Sequence, residues 1–172
     1  MGITWKNLLT LFLSVAATVS VINHAPADDE AIFPMPTAKT YVNECGSCHT
    51  AYAPGLLSAR SWRKMMGELD NHFGEDASLS EPQQLEILKT LESLAADSSQ
   101  ANMRMRRIHA AIAAGATPQR ISESGYFKFM HDEVRPSIWK RKKIGTLANC
   151  IACHPRANEG RYGEREIRIP QD

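Results

Sequence analysis

The sequence predicts an all-α fold made of two small helical domains, and three observations carry that prediction. Apolar residues recur at helical spacing in successive stretches between Ala38 and Pro136, most of them closed by glycine or proline. The pattern C-x-x-C-H occurs twice, at Cys45–His49 and Cys150–His154, with 101 residues between Cys48 and Cys150, so each half of the chain carries one copy. The charge balance also reverses. Residues 28–98 hold 12 Asp and Glu against 5 Lys and Arg, whereas residues 99–172 hold 14 Lys and Arg against 7 Asp and Glu. The reversal falls at "DSSQAN" (97–102), a polar stretch suited to a linker, which sets the domains at 38–98 and 99–172.

The elements follow in chain order. Lys6 precedes an uncharged, largely apolar run of 15 residues from Leu8 to Ile22, and Ala25 and Ala27 stand at the small-residue positions of a cleavage site. Residues 1–27 therefore read as a cleaved export signal. The alternative is a retained anchor helix, for which the run is short. Cleavage would leave a chain with no spanning segment, located in the periplasm. Residues 28–37 form an extended lead-in, because Pro34 and Pro36 oppose helix there. From Ala38 the spacing turns helical, with Tyr41, Cys45 and Cys48 at i, i+4 and i+7 and both thiols on one side. A second helix is expected over 61–74, with Met65, Leu69 and His72 on one face and Gly74 as its stop. A third is expected over 79–97, opened by a Ser80/Gln83 capping box and striped by Leu85, Leu88, Leu91 and Leu94.

In the second half, "MRMRRIHAAIAAG" (103–115) reads as a helix ended by Gly115. Phe127, His131 and Val134 then share a helical face, and Pro136 ends that segment. "GTLANCIACH" carries the second motif, and the tail from Gly160 reads as short and irregular.

Four cysteines in an exported chain would ordinarily pair as disulfides. Here all four lie in C-x-x-C pairs, each followed at once by a histidine. A zinc ribbon places its pairs about 15–20 residues apart and has no use for the histidines. A thioredoxin-like pair needs a βαβ context, and no strand pattern surrounds either motif. C-x-x-C-H is the attachment pattern of a c-type haem, with two thioether bonds from the cysteines and the histidine on the iron. Two copies behind an export signal point to two covalently attached haems. His49 and His154 are then the proximal ligands.

The distal ligands must be found among the remaining side chains. Downstream of His49 the candidates are Met65, Met66 and His72. Methionines in an amphipathic helix are more often packing than ligands, so His72 is preferred, with the two methionines as alternatives. The 18 residues after His154 contain neither His nor Met, which sends the second search upstream to His109, His131, Met130 and the pair Met103/Met105. His109 sits among Arg104, Arg106 and Arg107, a setting for a surface histidine. His131 follows Tyr126, Phe127 and Phe129, aromatics suited to cover a porphyrin face, and is preferred.

With these residues in place the chain resembles the dihaem cytochrome c family, in which a class I-like N-terminal haem domain precedes an atypical C-terminal one. The matching stretches are "ECGSCHTAYAPGLL", "SWRKMMGELDNHFGEDASL", "RISES", "HDEV", "ANCIACHPRANEG" and "IRIP". The resemblance implies a cytochrome c-like helical fold and bis-histidine ligation of both irons, His49 with His72 and His154 with His131. It implies electron transfer with a redox protein partner, such as a small monohaem cytochrome that binds oxygen or a membrane cytochrome. One departure is Tyr126, where the family pattern leads to a tryptophan ahead of the distal histidine.

Two imidazoles leave an iron without a vacant position, so an outer-sphere electron carrier is expected and not an enzyme. Methionine ligation raises haem potentials, so both haems should lie on the low-potential side. The competing class is a peroxidase-like enzyme or a binder of O2, NO or CO, which needs one open iron. Export places the chain away from nucleic acid, so the basic run "WKRKKIG" (139–145) is not read as a nucleic-acid site. The acidic and basic halves instead suggest electrostatic docking faces.

Overall fold

The computed structural model describes residues 32–172. The export signal read over 1–27, and residues 28–31 of the lead-in, lie outside the described residues. The described residues form six α-helices and six short 3₁₀ segments. The helices are α1 (Lys39–Gly46), α2 (Ala59–Met66), α3 (Glu81–Ser93), α4 (Met103–Ala110), α5 (Gly125–Met130) and α6 (Pro136–Trp139). The only β pairing among those residues is two isolated bridges, Ile32 with Arg161 and His72 with Glu75. The all-α prediction holds.

α3 starts where the sequence puts it. The Gln83 side chain takes the backbone N–H of Ser80 at 3.3 Å, closing the capping box. Its buried positions, however, are Ile87 and Leu91, whereas Leu85 is 60% exposed. The leucine stripe is therefore rotated from the expected one, because α3 packs on both α2 and α1 and buries the edge between them.

α2 ends at Met66, well short of Gly74. Gly67 N–H closes the helix on the carbonyls of Arg63 and Lys64, at 3.0 and 3.2 Å. His72 is thus not on the helix of Met65 but in a turn beyond it. α4 stops at Ala110, five residues before Gly115. Past the buried Ile108 the sequence offers only alanines and the half-buried Ile112, too little apolar surface to extend the helix. α5 is capped by Ser124 Oγ, which accepts from Phe127 N–H at 3.1 Å, and His131 lies just past its end. The second C-x-x-C-H is 3₁₀ over Cys150–Ala152, not α-helix.

Two apolar clusters hold these elements. One lies within the first half and joins Tyr41, Leu57, Trp62, Met66, Ile87 and Leu91. Trp62 Nε1 donates to Pro54 O at 2.8 Å, so the indole is buried with its one donor satisfied. The other cluster is shared by both halves, with Phe33, Leu56 and Ala96 packing on Met105 and Ile108. Gly55 permits that approach: a Cβ there would stand 2.9 Å from Met105. The tail is short but built in. Phe33 N–H donates to Gly160 O at 2.8 Å, and Phe33 meets the Tyr162 ring edge-on at 5.5 Å.

Candidate haem sites

α1 carries Cys45 on its last turn, Cys48 follows two residues beyond the helix end, and His49 comes next. The four cysteines are unpaired. Burial, and then the Glu44 charge, pushes the Cys45 thiol up to about 11, and burial likewise holds Cys150 at about 11. Both are thiols, not thiolates, at neutral pH. No group of three or more His, Cys, Asp and Glu side chains converges as a metal site among the described residues.

What does converge is a pair of imidazoles in each half. The His49 and His72 rings stand 6.1 Å apart between centroids, with planes 24° from parallel. The His131 and His154 rings are also 6.1 Å apart, with planes at 84°. With metal–imidazole bonds of about 2 Å and a further ~1.1 Å from nitrogen to ring centre, two imidazoles across one metal have centroids about 6 Å apart. Both pairs have that spacing.

Local hydrogen bonds set the ring nitrogens. His49 Nδ1 lies 2.8 Å from Thr50 O, and His131 Nδ1 lies 2.8 Å from Phe127 O. A carbonyl only accepts, so each Nδ1 carries the proton and each Nε2 keeps the lone pair a metal needs. His154 Nδ1, in contrast, is buried with no hydrogen-bond partner within the polypeptide. Burial, and then His131, pushes His154 down to about 4, and burial followed by His49 and Arg120 lowers His72. These rings are neutral at pH 7, the form that ligates.

A cavity of about 700 Å³ lies over the first pair. Its lining includes Cys45, Cys48, His49, Trp62 and His72, and it reaches Cys150 of the second motif. That volume is in the usual range for cofactor pockets. Tyr52 stacks on His49 at 5.0 Å and 22°, and its hydroxyl donates to Ala148 O at 2.7 Å, two residues before Cys150. At the second pair Phe127 stacks on His131 at 4.0 Å, Trp139 stands 5.8 Å from it, and Tyr162 lies 5.3 Å from His154.

The other candidates divide. Met65 and Met66 both line the first cavity, Met66 buried also among Trp62 and Leu91, while the rest are placed elsewhere. Met105 is fully buried in the shared core and Met103 is 71% exposed. His109 faces Asp97 at 3.9 Å. Met130 ends α5, exposed. Of the aromatics expected over the second porphyrin, only Phe127 lies against His131. Tyr126 turns to the shared core and accepts from Arg104 Nη1 at 2.9 Å, and Phe129 is exposed. The residues sequence reading missed are Tyr52, Trp139 and Tyr162. Tyr52 could have been noticed three positions after His49; Trp139 and Tyr162 reach their histidines only through tertiary folding.

Two C-x-x-C-H segments, each facing a second imidazole in a helical scaffold, define a c-type cytochrome with two haems. The family model for dihaem cytochrome c matches residues 41–162. The fold is similar to that of a dihaem cytochrome c from Rhodobacter sphaeroides, at 42% identity over 77% of this chain and 100% of that one, with a TM-score of 0.66. It is also similar to a dihaem cytochrome c of Shewanella baltica OS155, at 33% identity over 79% of this chain and 95% of that one, with a TM-score of 0.63. A comparison with functionally curated proteins returns no match. The chain belongs to the dihaem cytochrome c family, carries two covalently bound c-type haems and is a haem-based electron-transfer protein.

Proposed function

We propose that the chain is an exported, periplasmic electron carrier whose two haems are each held between two histidines, His49 with His72 and His154 with His131. The observation that supports this most directly is the common 6.1 Å spacing of the two ring pairs. The haems supply a one-electron couple at each site. The chain supplies thioether anchors at Cys45, Cys48, Cys150 and Cys153, fixed imidazoles, and aromatic walls from Tyr52, Phe127, Trp139 and Tyr162. With His49 and His72 holding one iron and His154 and His131 the other, each bound haem would offer no open position to a substrate, would exchange electrons without one, and would have a low potential relative to a His/Met haem.

Export rests on the apolar run 8–22 and on Ala25 and Ala27. No helix among the described residues is long and apolar enough to cross a membrane. The partner is a redox protein, with a small monohaem oxygen-binding cytochrome or a membrane cytochrome as the candidates. The visible spectrum of the dithionite-reduced holoprotein, recorded on mixing with carbon monoxide, tests the reading. An unchanged spectrum is expected. A prompt shift in half of the haem would mean one open iron and a ligand-binding or peroxidase-like protein.

A further inference from the structure

His72 opens a two-residue turn. Its N–H donates to Glu75 O at 2.7 Å, and Glu75 N–H returns to His72 O at 3.2 Å. The two residues inside the turn, Phe73 and Gly74, have φ of 57° and 103°. Such a turn ordinarily takes Asn-Gly. Glycine adopts this backbone freely, but phenylalanine does so only where its surroundings hold it.

Those surroundings come from the other half of the chain. The Arg120 guanidinium stands 4.1 Å over the Phe73 ring, which itself lies 4.8 Å from the ring of His72. Arg120 also faces Glu123 at 3.5 Å. The neighbouring Gln119 donates from Nε2 to Glu68 Oε2 at 2.8 Å, at the near end of the same loop. Upstream, Arg60 of α2 reaches the carbonyls of Ala116 and Ala113, at 2.6 and 3.1 Å. Downstream, Ile121 packs against both apolar clusters. Residues 113–121 thus cross the first half as a strap, fixed at both ends, with its middle on the turn that carries His72.

We infer that this strap positions the distal ligand of the first haem: Gln119 and Arg120 hold the His72 turn closed, so that closure of the first iron depends on the second half. The inference rests on the bis-histidine reading and extends it. Both residues are positioning residues, acting through the turn. Where a ligand must leave before carbon monoxide enters, the entry rate reads the opening of the turn.

The test is carbon monoxide entry into the dithionite-reduced holoprotein, for the parent chain, Gln119→Ala, Arg120→Ala, the double variant and Arg120→Lys. The first haem is identified by the difference band of His72→Ala. In the double variant, entry at that haem should quicken by about tenfold, the effect of ~1.4 kcal/mol on the opening equilibrium. The second haem should be unaffected, and Arg120→Lys should restore most of the closure. An unchanged rate at the first haem overturns the strap. So does a lowered midpoint potential of that haem without faster entry, which would make Arg120 a nearby charge only. If the double variant does not fold, the two single alanine variants decide by the same rates. Should His72→Ala leave the spectrum of the parent untouched, it is the ligand reading that has failed, and the strap falls with it.

Discussion

At the scale of single residues, each imidazole pair has one member fixed by its own backbone, His49 through Thr50 and His131 through Phe127. The other member of each pair is placed by packing. His131→Ala should turn half of the haem high-spin and open it to carbon monoxide, and His72→Ala should do the same to the other half. Optical spectra of the two purified variants check this, and an unaltered low-spin spectrum in either would remove that histidine from the ligand set. Gly160 makes a second residue-scale prediction. Its φ is 73°, and a Cβ there would fall 2.0 Å from Phe33 O. Gly160→Ala combines a left-handed backbone with an overpacked contact, so a loss of about 2–4 kcal/mol is expected. Thermal unfolding followed by circular dichroism should register it as a fall in Tm of several degrees.

At the scale of elements, the local signals were legible and the tertiary ones were not. The Ser80/Gln83 box and the start of α1 near Ala38 were readable because capping and helical period are set within a few residues. The turn at His72 was not, because its unusual Phe73 backbone is stabilised from residue 120, far away in sequence. The rotated stripe of α3 has the same origin: burial is decided by neighbours that periodicity does not name. The C-x-x-C-H motifs could be read outright. The choice of His72 and His131 was made by weighing the remaining His and Met side chains, with the resemblance in agreement, whereas Trp139 and Tyr162 were out of reach. Arg60 is a prediction at this scale. Its two hydrogen bonds tie α2 to the segment after α4, and Arg60→Ala should cost about 1–2 kcal/mol, near the lower range for bonds from a charged donor because the site is part-exposed. Denaturant titration with an unchanged m-value would show it as a lower midpoint.

At the scale of the whole molecule, the first haem cavity is walled partly by the second half, through Arg120, Phe127, Ala148 and Cys150. The shared core of Leu56, Met105 and Ile108 adds to the coupling. The two haem sites are therefore neighbours across one packed boundary, and the acidic and basic surfaces lie on opposite sides of it in sequence. If those surfaces steer encounter, the second-order rate of electron exchange with a charged redox partner should fall as ionic strength rises from about 0.01 to 0.15 M, where the screening length shrinks from ~30 to ~8 Å. Stopped-flow oxidation across that range measures it, and a flat response would assign the charges to solubility alone.

The junction of Ile32 and Phe33 with Gly160 and Arg161 has a consequence in time. It joins the two ends of the described chain, so nearly every other residue lies between its partners. Contacts of such long sequence separation form after local ones. The apolar cluster of Tyr41, Leu57, Trp62 and Leu91 can form from early residues alone, whereas the first haem cavity waits for Arg120, Phe127, Ala148 and Cys150, and Tyr162 reaches His154 only once the tail has arrived. A chain emerging from its N-terminal end would therefore set that cluster first, complete neither haem site until the second half has arrived, and set the junction last.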